Sequence, residues 1–366
     1  MAEGSVSPAL RALEFYSGVG GMHWAVGRAG LEQRVKVVGA YDLNDGANRT
    51  YRHNFPDTPR DLASLDVHEV EAHAADIWLM SPPSRSFAHL LGLLARLDRP
   101  PSYLLLENVY GFERSESRTQ LVAALAQGGY RHQEFLLSPT QFGIPNQARR
   151  APPPPPPLCT TTRLRYFLLA KRAPHSFAWA PLAVASSSTI DPLRFVPACA
   201  EQAATAADPA QPEPAAVAPL SDFLEPDDSL SVHAHRVPDA LVWKKGLLFD
   251  IVGKEDMRSC CFTKAYARFV EGAGSVLRTG PPLVDGWADG ATEDDIGGAL
   301  LALGLRYFTP REVARLHGFP DSFGFPEGTG ERQKYQQLGN SLNVLVVARL
   351  LRYLLLVGPS TRSHAA

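Results

Sequence analysis

The residues best suited to chemistry in this sequence follow short apolar runs. Residues 15–21 read Phe-Tyr-Ser-Gly-Val-Gly-Gly, and such glycines let a backbone turn sharply against a ligand while the next helix offers free N–H groups. Asp42 follows the second apolar run, 21 residues after Gly21, where a carboxylate can accept hydrogen bonds from ribose hydroxyls. The combination predicts a nucleoside-containing cofactor, although the glycines alone would equally suit a tight structural turn.

Two further groups carry charge at the end or start of an apolar run. Glu107 ends one run and precedes Asn108; its carboxylate could protonate a ring nitrogen of a heterocycle, or it could cap the next helix. Arg163 and Arg165 begin another run, so both guanidinium groups would point to one face of a strand. They could hold a phosphate or a base carbonyl, or lie on a solvated strand edge.

The apolar runs themselves predict six strands that alternate with helical segments. Alternation of this kind predicts an α/β fold with a mostly parallel, doubly wound sheet. Ligands of such sheets bind beyond the carboxyl ends of the strands, which is where the candidate residues lie. Near the end, Thr309, Pro310 and Glu312 have the types expected at a helix start. The predicted strands are 10–16, 35–42, 76–80, 103–108, 133–137 and 164–170, and the predicted helices include 21–30, 115–127 and 342–356.

Two segments interrupt this pattern and suggest domain boundaries. Residues 152–157 are six consecutive prolines, expected to form an exposed polyproline II segment. Residues 197–219 are rich in alanine and proline and predict a flexible, poorly packed linker. We therefore predict a catalytic domain of residues 1–180 and 305–366, a linker at 181–222 and a recognition domain at 223–304.

Composition and charge exclude some classes of function for this chain. With 36 Lys and Arg against 38 Asp and Glu among 366 residues, the net charge is −2, which excludes nucleic-acid binding by bulk positive charge but permits a local basic groove. Residues 147–172 contain no acidic residue and could form such a groove or merely a solvated basic face. The four cysteines form no CxxC pattern, and no signal peptide or membrane span is expected. His233 and His235 lack further ligands for a metal, so we expect a solvated loop there and no metal.

Taken in order, these motifs resemble those of the cytosine-5 methyltransferase family, and more narrowly its tRNA-methylating branch. The resemblance implies a Rossmann-like fold that uses S-adenosylmethionine, with a small inserted target-recognition domain. The family motifs are Phe-Tyr-Ser-Gly-Val-Gly-Gly, Ser-Pro-Pro, Glu-Asn-Val, Arg-x-Arg and Gly-Asn-Ser, and the branch signatures lie at 137–140, 261–264, 271–275 and 305–310.

The same resemblance implies roles for individual residues. In the family, a cysteine thiolate attacks carbon 6 of a flipped-out cytosine; Glu107 would protonate ring nitrogen 3, and Arg163 and Arg165 would steady the base. The substrate would be tRNA, with a cytosine of the anticodon loop as the target. The implied S-adenosylmethionine site comprises Val19, Gly20 and Gly21 at the methionine end, Asp42 and Leu43 at the ribose, Leu65 and Asp66 near the adenine, and Ser81 and Ser341 around them.

One departure from the family concerns the nucleophile. Ser84 follows Pro82-Pro83, where the family has cysteine, and the first cysteine of the chain is Cys159. The interval from Pro83 to Glu107 is shorter than in the family, and residues 84–91 resemble the segment that normally follows the catalytic loop. A deletion of that loop is therefore indicated. We expect impaired catalysis, because a serine alkoxide is not accessible near neutral pH.

Several functions remain open from the sequence. The first is a tRNA cytosine-5 methyltransferase whose activity is impaired in this chain, and the second is an inactive protein that binds the cofactor and RNA. A DNA cytosine-5 methyltransferase is a third, and a dehydrogenase would suit the glycine turn and Asp42 but leaves Glu107 unexplained. Cys159 and Cys261 are expected to pack or lie exposed rather than replace the nucleophile. We expect a monomer in the cytoplasm, and also in the nucleus.

Overall fold

The computed structural model describes residues 8–55, 65–83, 87–146, 164–179, 192–197, 215–282 and 291–356. The contacts divide the chain into two compact units. The first unit comprises residues 1–137, 164–213 and 344–366, and the second comprises residues 138–163 and 214–343. Ser84, Arg163 and the proline run lie outside the described residues.

A six-stranded sheet forms the first unit, in the order β2-β1-β3-β4-β6-β5. The first four strands in this order are parallel, and β6 runs antiparallel to both β4 and β5. The predicted α/β class with a mostly parallel sheet is confirmed, and only the fifth strand begins appreciably earlier than predicted, at Tyr130. The strands are β1 (Leu10–Phe15), β2 (Val35–Tyr41), β3 (Ile77–Met80), β4 (Tyr103–Val109), β5 (Tyr130–Leu137) and β6 (Arg165–Arg172).

Helices surround this sheet, and five further α-helices lie among the described residues of the second unit. Among the described residues, no helix has the length and apolar character needed to span a membrane. The first unit contains α1 (Gly21–Arg28), α2 (Asp45–Asn54), α3 (Val67–Ala72), α4 (Phe87–Leu94) and α5 (Glu116–Gln127); the second contains α6 (Leu230–Ala234), α7 (Asp239–Lys245), α8 (Glu293–Ala302), α9 (Pro310–Leu316) and α10 (Glu331–Gly339); and α11 (Val344–Leu354) returns to the first unit.

The sheet is covered on both faces, as a doubly wound sheet must be. On one face, Phe15 packs against Trp78 with ring centroids 4.7 Å apart, in a buried cluster that includes Phe87 of α4. On the other face, Phe135 meets Tyr353 of α11 edge-on at 6.2 Å, and α11 also packs against α1. Each such buried side chain contributes about 1.5–3 kcal/mol, so the carboxyl ends of the strands are rigidly held.

The second unit has its own small sheet of β7 (Asp250–Val252), β8 (Ser275–Arg278) and β9 (Leu305–Tyr307). Because β9 pairs with β8 and Arg306 forms a buried ion pair with Glu312 at 2.7 Å, residues 305–343 belong to this unit, which differs from the predicted domain boundary at 305. The predicted start of α9 is confirmed: the Thr309 side chain accepts from the Glu312 N–H in a capping box. His235 is buried rather than solvated, with Nε2 3.4 Å from Glu331 Oε1.

Two described parts of the predicted linker are packed rather than free. In the first unit, the Leu193 N–H donates to the Glu134 carbonyl oxygen at 2.8 Å, and the Leu136 N–H donates to the Leu193 carbonyl oxygen at 2.8 Å. In the second unit, the Ala218 N–H donates to the Gly143 carbonyl oxygen at 2.9 Å. Leu193 is held because the edge of β5 presents backbone groups that need partners, and Ala218 because the Gly143 carbonyl oxygen needs one. An Ala- and Pro-rich composition reveals neither.

Candidate active site

The loop after β1 has an unusual backbone at the edge where the parallel strands end. Tyr16, Gly18 and Gly20 have φ values of 57°, 54° and 85°, in the left-handed region that non-glycine residues such as Tyr16 rarely adopt. The Gly18 N–H donates to Asp42 Oδ2 at 2.9 Å, directly after β2. The structure thus brings together the glycine loop and the carboxylate that the sequence singles out.

Space differs sharply between the two glycines of this loop. A Cβ atom at Gly20 would lie 2.8 Å from Phe55 Cε2 and 3.1 Å from the Tyr51 ring, whereas a Cβ atom at Gly18 would have nothing within 4 Å. Gly20 is therefore required by close packing against α2 and the residue after it. Gly18 faces open space, so a ligand can approach the backbone there.

A buried polar network lies beneath the loop and was missed from the sequence. Glu14 Oε1 accepts from the Met22 N–H at 3.1 Å, and Oε2 accepts from the Tyr51 hydroxyl at 3.1 Å. Burial raises the pKa of Glu14 to about 8, although hydrogen bonds from Tyr51, Met22 and His23 oppose the change. An acidic residue inside an apolar strand was the signal that could have revealed this network, which holds the first turn of α1 in place.

The pH dependence of stability should report on Glu14. Because its pKa is about 8 in the folded chain against about 4.3 when unperturbed, the folded state holds a proton that the unfolded state releases. Stability should therefore fall as pH rises from about 4.5 to 8, by up to roughly 1.4 kcal/mol per unit. Glu14→Gln removes this slope. The free energy of unfolding of the variant minus that of the unaltered chain, measured by urea denaturation, should therefore increase between pH 5 and pH 8. Exposed Glu116→Gln is the control, and an equal slope in both variants would contradict the assignment.

Asp42 keeps capacity for a ligand despite its backbone partners. Burial raises its pKa, while N–H groups of Asn44, Gly18 and Leu43 oppose this change. Oδ1 accepts from the Asn44 N–H at 2.7 Å and Oδ2 from Gly18; each carboxylate oxygen has two lone pairs, so each can also accept a hydroxyl. The neighbouring Leu43 side chain is 55% exposed, which leaves an apolar surface beside the carboxylate.

The remaining predicted cofactor residues have varied surroundings. Leu65 packs in the core cluster, and Asp66 Oδ1 caps α3 by accepting from the Glu69 N–H at 2.9 Å, so their contact with an adenine stays a prediction. Val19 and Gly21 are buried within the loop and at the start of α1. Ser341 follows α10 in the second unit, and its place in the pocket likewise stays a prediction.

The residues at these strand ends, Ser17, Gly18 and Asp42, fit S-adenosylmethionine. The Ser17 hydroxyl is buried, and within the described residues it has no hydrogen-bond partner, so a polar ligand atom would satisfy it. Open backbone at Gly18 suits the amino-acid end of the cofactor, and the Asp42 carboxylate suits ribose hydroxyls. The residues present therefore fit the amino-acid end and the ribose of this cofactor, and the contact with its adenine stays a prediction.

Glu107 and Arg165 meet on neighbouring strands. Arg165 Nε lies 3.4 Å from Glu107 Oε1, with side chains 26% and 12% exposed. Glu107 does not cap the next α-helix, because Ser115 caps α5. Arg165 does not lie on an edge strand, because β6 is inside the sheet. The pair presents a carboxylate and a guanidinium at the same sheet end as the glycine loop.

Side-chain hydrogen bonds tie the end of β3 to its neighbours. Ser81 Oγ donates to the Tyr16 carbonyl oxygen at 2.9 Å, and Asn108 Nδ2 donates to the Pro82 carbonyl oxygen at 2.8 Å. The backbone at residues 81 and 82 is thereby held between the glycine loop and Asn108. Beyond Pro83, residues 84–86 lie outside the described residues.

Comparison with known proteins decides the family. The C-5 cytosine-specific DNA methylase family matches residues 292–355. A Bos taurus tRNA (cytosine(38)-C(5))-methyltransferase is 35% identical, with coverage of 94% of this chain and 99% of the relative. The chain belongs to the C-5 cytosine methyltransferase family. A Dictyostelium discoideum DNA (cytosine-5)-methyltransferase is 33% identical over 94% of each chain, and the S. pombe Dnmt2 methyltransferase structure matches with a TM-score of 0.71 and 33% identity, over 94% of this chain and 98% of that one.

The resemblance and the fold class predicted from the sequence are thus confirmed. The alignment with the Bos taurus methyltransferase spans 405 positions, more than the 366 residues of this chain, so that relative contains residues without a counterpart here. The alignment length does not locate these residues, so the deletion of the loop after Pro83 stays a prediction.

Proposed function

We propose that this chain has the cofactor site and the base-holding residues of a tRNA cytosine-5 methyltransferase, and that the chain itself is impaired because its nucleophile is missing. The observation that carries the proposal is the placement of Glu107 and Arg165 beside the glycine loop and Asp42, at one end of the same sheet. Relatives at 35% identity that are named tRNA (cytosine(38)-C(5))-methyltransferases support an anticodon-loop cytosine in tRNA as the target.

Residues of this chain would orient the cofactor, protonate the cytosine and hold the base in position. S-adenosylmethionine supplies an electrophilic methyl group when bound. Asp42 and the loop backbone would orient it, and Glu107 would donate a proton to ring nitrogen 3 of a cytosine that has left its stack. Arg165, 3.4 Å from Glu107, would hold both the carboxylate and the base carbonyl in position; Arg163 would act with it.

The missing step is the addition of a nucleophile to carbon 6. No cysteine precedes Cys159, and the Ser81 hydroxyl is engaged with the Tyr16 carbonyl oxygen without a base to activate it. Protonation by Glu107 alone leaves carbon 5 poorly nucleophilic. Cofactor and RNA binding should therefore persist while methyl transfer is impaired.

Two experiments test the proposal. Calorimetric titration should show binding of S-adenosylmethionine and no binding of a nicotinamide dinucleotide; the reverse would favour a dehydrogenase. An RNA containing 5-fluorocytosine should give no adduct that survives denaturation, and such an adduct would show that another residue supplies the nucleophile.

A DNA methyltransferase is the second candidate, because the Dictyostelium discoideum relative is named as one. Comparison of tRNA and duplex DNA as methyl acceptors, with the lost segment rebuilt, separates the two. We expect tRNA to be the better acceptor, since the signatures at 261–264 and 271–275 resemble the tRNA branch.

A further inference from the structure

An exposed aromatic ring with a cation beside it forms the tip of a turn in the second unit. Phe269 is 58% exposed, and the Arg268 guanidinium carbon lies 5.3 Å from the centre of its ring. Lys264, on the same turn, is also exposed. A large ring exposed to solvent beside a guanidinium group has no role in the core of this unit.

The base of this turn is firmly held. The buried Tyr266 hydroxyl donates to the Ser275 carbonyl oxygen at 2.6 Å and accepts from the Phe308 N–H at 2.9 Å. The Thr263 N–H donates to the Ala273 carbonyl oxygen at 3.0 Å, which closes the turn. The tip is therefore presented on a rigid base rather than on a flexible loop.

The backbone just before the tip is strained. Ala267 has φ of 60°, in the left-handed region where a Cβ atom is unfavourable and glycine would be expected. Strain of this kind persists where the surrounding structure enforces it and is concentrated at functional positions. Here it turns Arg268 and Phe269 away from the anchored base.

We propose that Phe269 and Arg268 form a platform on which an unpaired base of the RNA substrate stacks, with Lys264 contacting a backbone phosphate. Aromatic faces bind bases of any sequence, and arginine adds a cation–π contribution. The proposal rests on the proposed function, because it assumes an RNA ligand. An apolar protein partner would also use an exposed phenylalanine, but it would need no aromatic face and no flanking cations.

Substitutions at Phe269 distinguish these ligands. Binding of total tRNA to the full chain is measured by fluorescence anisotropy. Phe269→Ala and Phe269→Leu should each weaken binding by about 5- to 150-fold, while Phe269→Trp should preserve it. Leu247→Ala is the matched control, since this leucine is 56% exposed in the same unit, and it should leave binding unchanged. Full affinity in Phe269→Leu, or no tRNA binding by the unaltered chain, would overturn the proposal.

A second variant tests the cation. Arg268→Glu should weaken tRNA binding and reduce its dependence on salt concentration, since fewer counterions are released. Thermal denaturation followed by circular dichroism should be the same in all these variants, which shows that they fold. If Phe269 variants bind tRNA normally while a chain with the rebuilt segment methylates it, the platform is refuted and the proposed function stands.

Discussion

A chain in which a catalytic loop with a cysteine is inserted after Pro83 is expected to methylate tRNA at least about 1000-fold faster than the unaltered chain. The inserted segment would carry a cysteine directly after a proline pair, as the resemblance to the family implies. The reason is that the backbone at Pro82 is already fixed by Asn108 and Ser81, and Glu107 and Arg165 are already paired. A thiolate is the one missing group that would make carbon 5 nucleophilic.

The control for this prediction is Ser84→Cys in the unaltered chain. A cysteine there follows Pro83 directly but lies in a shortened segment, so it should give far less activity than the rebuilt chain. Methyl transfer from tritiated S-adenosylmethionine to total tRNA measures both. Full activity in Ser84→Cys would mean that this chain differs from the family by a simple Cys-to-Ser exchange and not by a deletion. If a rebuilt chain binds the cofactor and tRNA but shows no activity, that result would contradict the assignment of the substrate.

Replacement of Gly20 by valine is expected to weaken S-adenosylmethionine binding by about 100-fold or more. A side chain there would collide with Phe55 Cε2, 2.8 Å from the Cβ position, and the φ of 85° is unfavourable for any residue with a Cβ atom. Strain and overpacking together cost roughly 2–5 kcal/mol. Because Tyr51 is itself held by its hydrogen bond to Glu14, it cannot yield, and the loop must shift away from α2.

Two matched substitutions separate the effect of side-chain packing on cofactor affinity from the effect of backbone strain. Gly18→Ala carries a similar φ of 54° but has open space around the new atom, so it should weaken binding by about 10-fold through strain alone. Gly92→Ala lies in α4 with nothing within 4 Å and should leave binding unchanged and stabilise the helix slightly. Calorimetry and thermal denaturation of the three variants measure these effects, and equal affinity in Gly20→Val and Gly92→Ala would contradict the cofactor site.

The sequence predicted the sheet well, because periodic apolar runs and residue types at strand ends are local signals. It also placed Asp42 beside the glycine loop, since parallel strands in succession end at the same edge. The features that the sequence did not predict depend on tertiary contacts. An acidic residue inside an apolar strand marks Glu14 as unusual, but its partner at the start of α1 is a tertiary contact that no local pattern shows. The pairing of β9 with β8, which places residues 305–343 in the second unit, is likewise a tertiary contact.

Composition was a weaker guide than periodicity. The Ala- and Pro-rich segment looked like a free linker, yet Leu193 and Ala218 satisfy backbone groups of the two units. His235 was expected in a solvated loop because the sequence shows no further metal ligands beside it, yet it is buried against Glu331. In each case the partner lies far along the chain, where a local pattern carries no information.

Methyl transfer by the unaltered chain tests the central claim most directly. The chain is incubated with tritiated S-adenosylmethionine and total tRNA, and binding of the cofactor to the same preparation is verified by calorimetry. We predict cofactor binding with no incorporation above that of a sample without protein. Incorporation of label into tRNA would contradict the account, because it would require a nucleophile that the absence of cysteine before Cys159 excludes from the expected position.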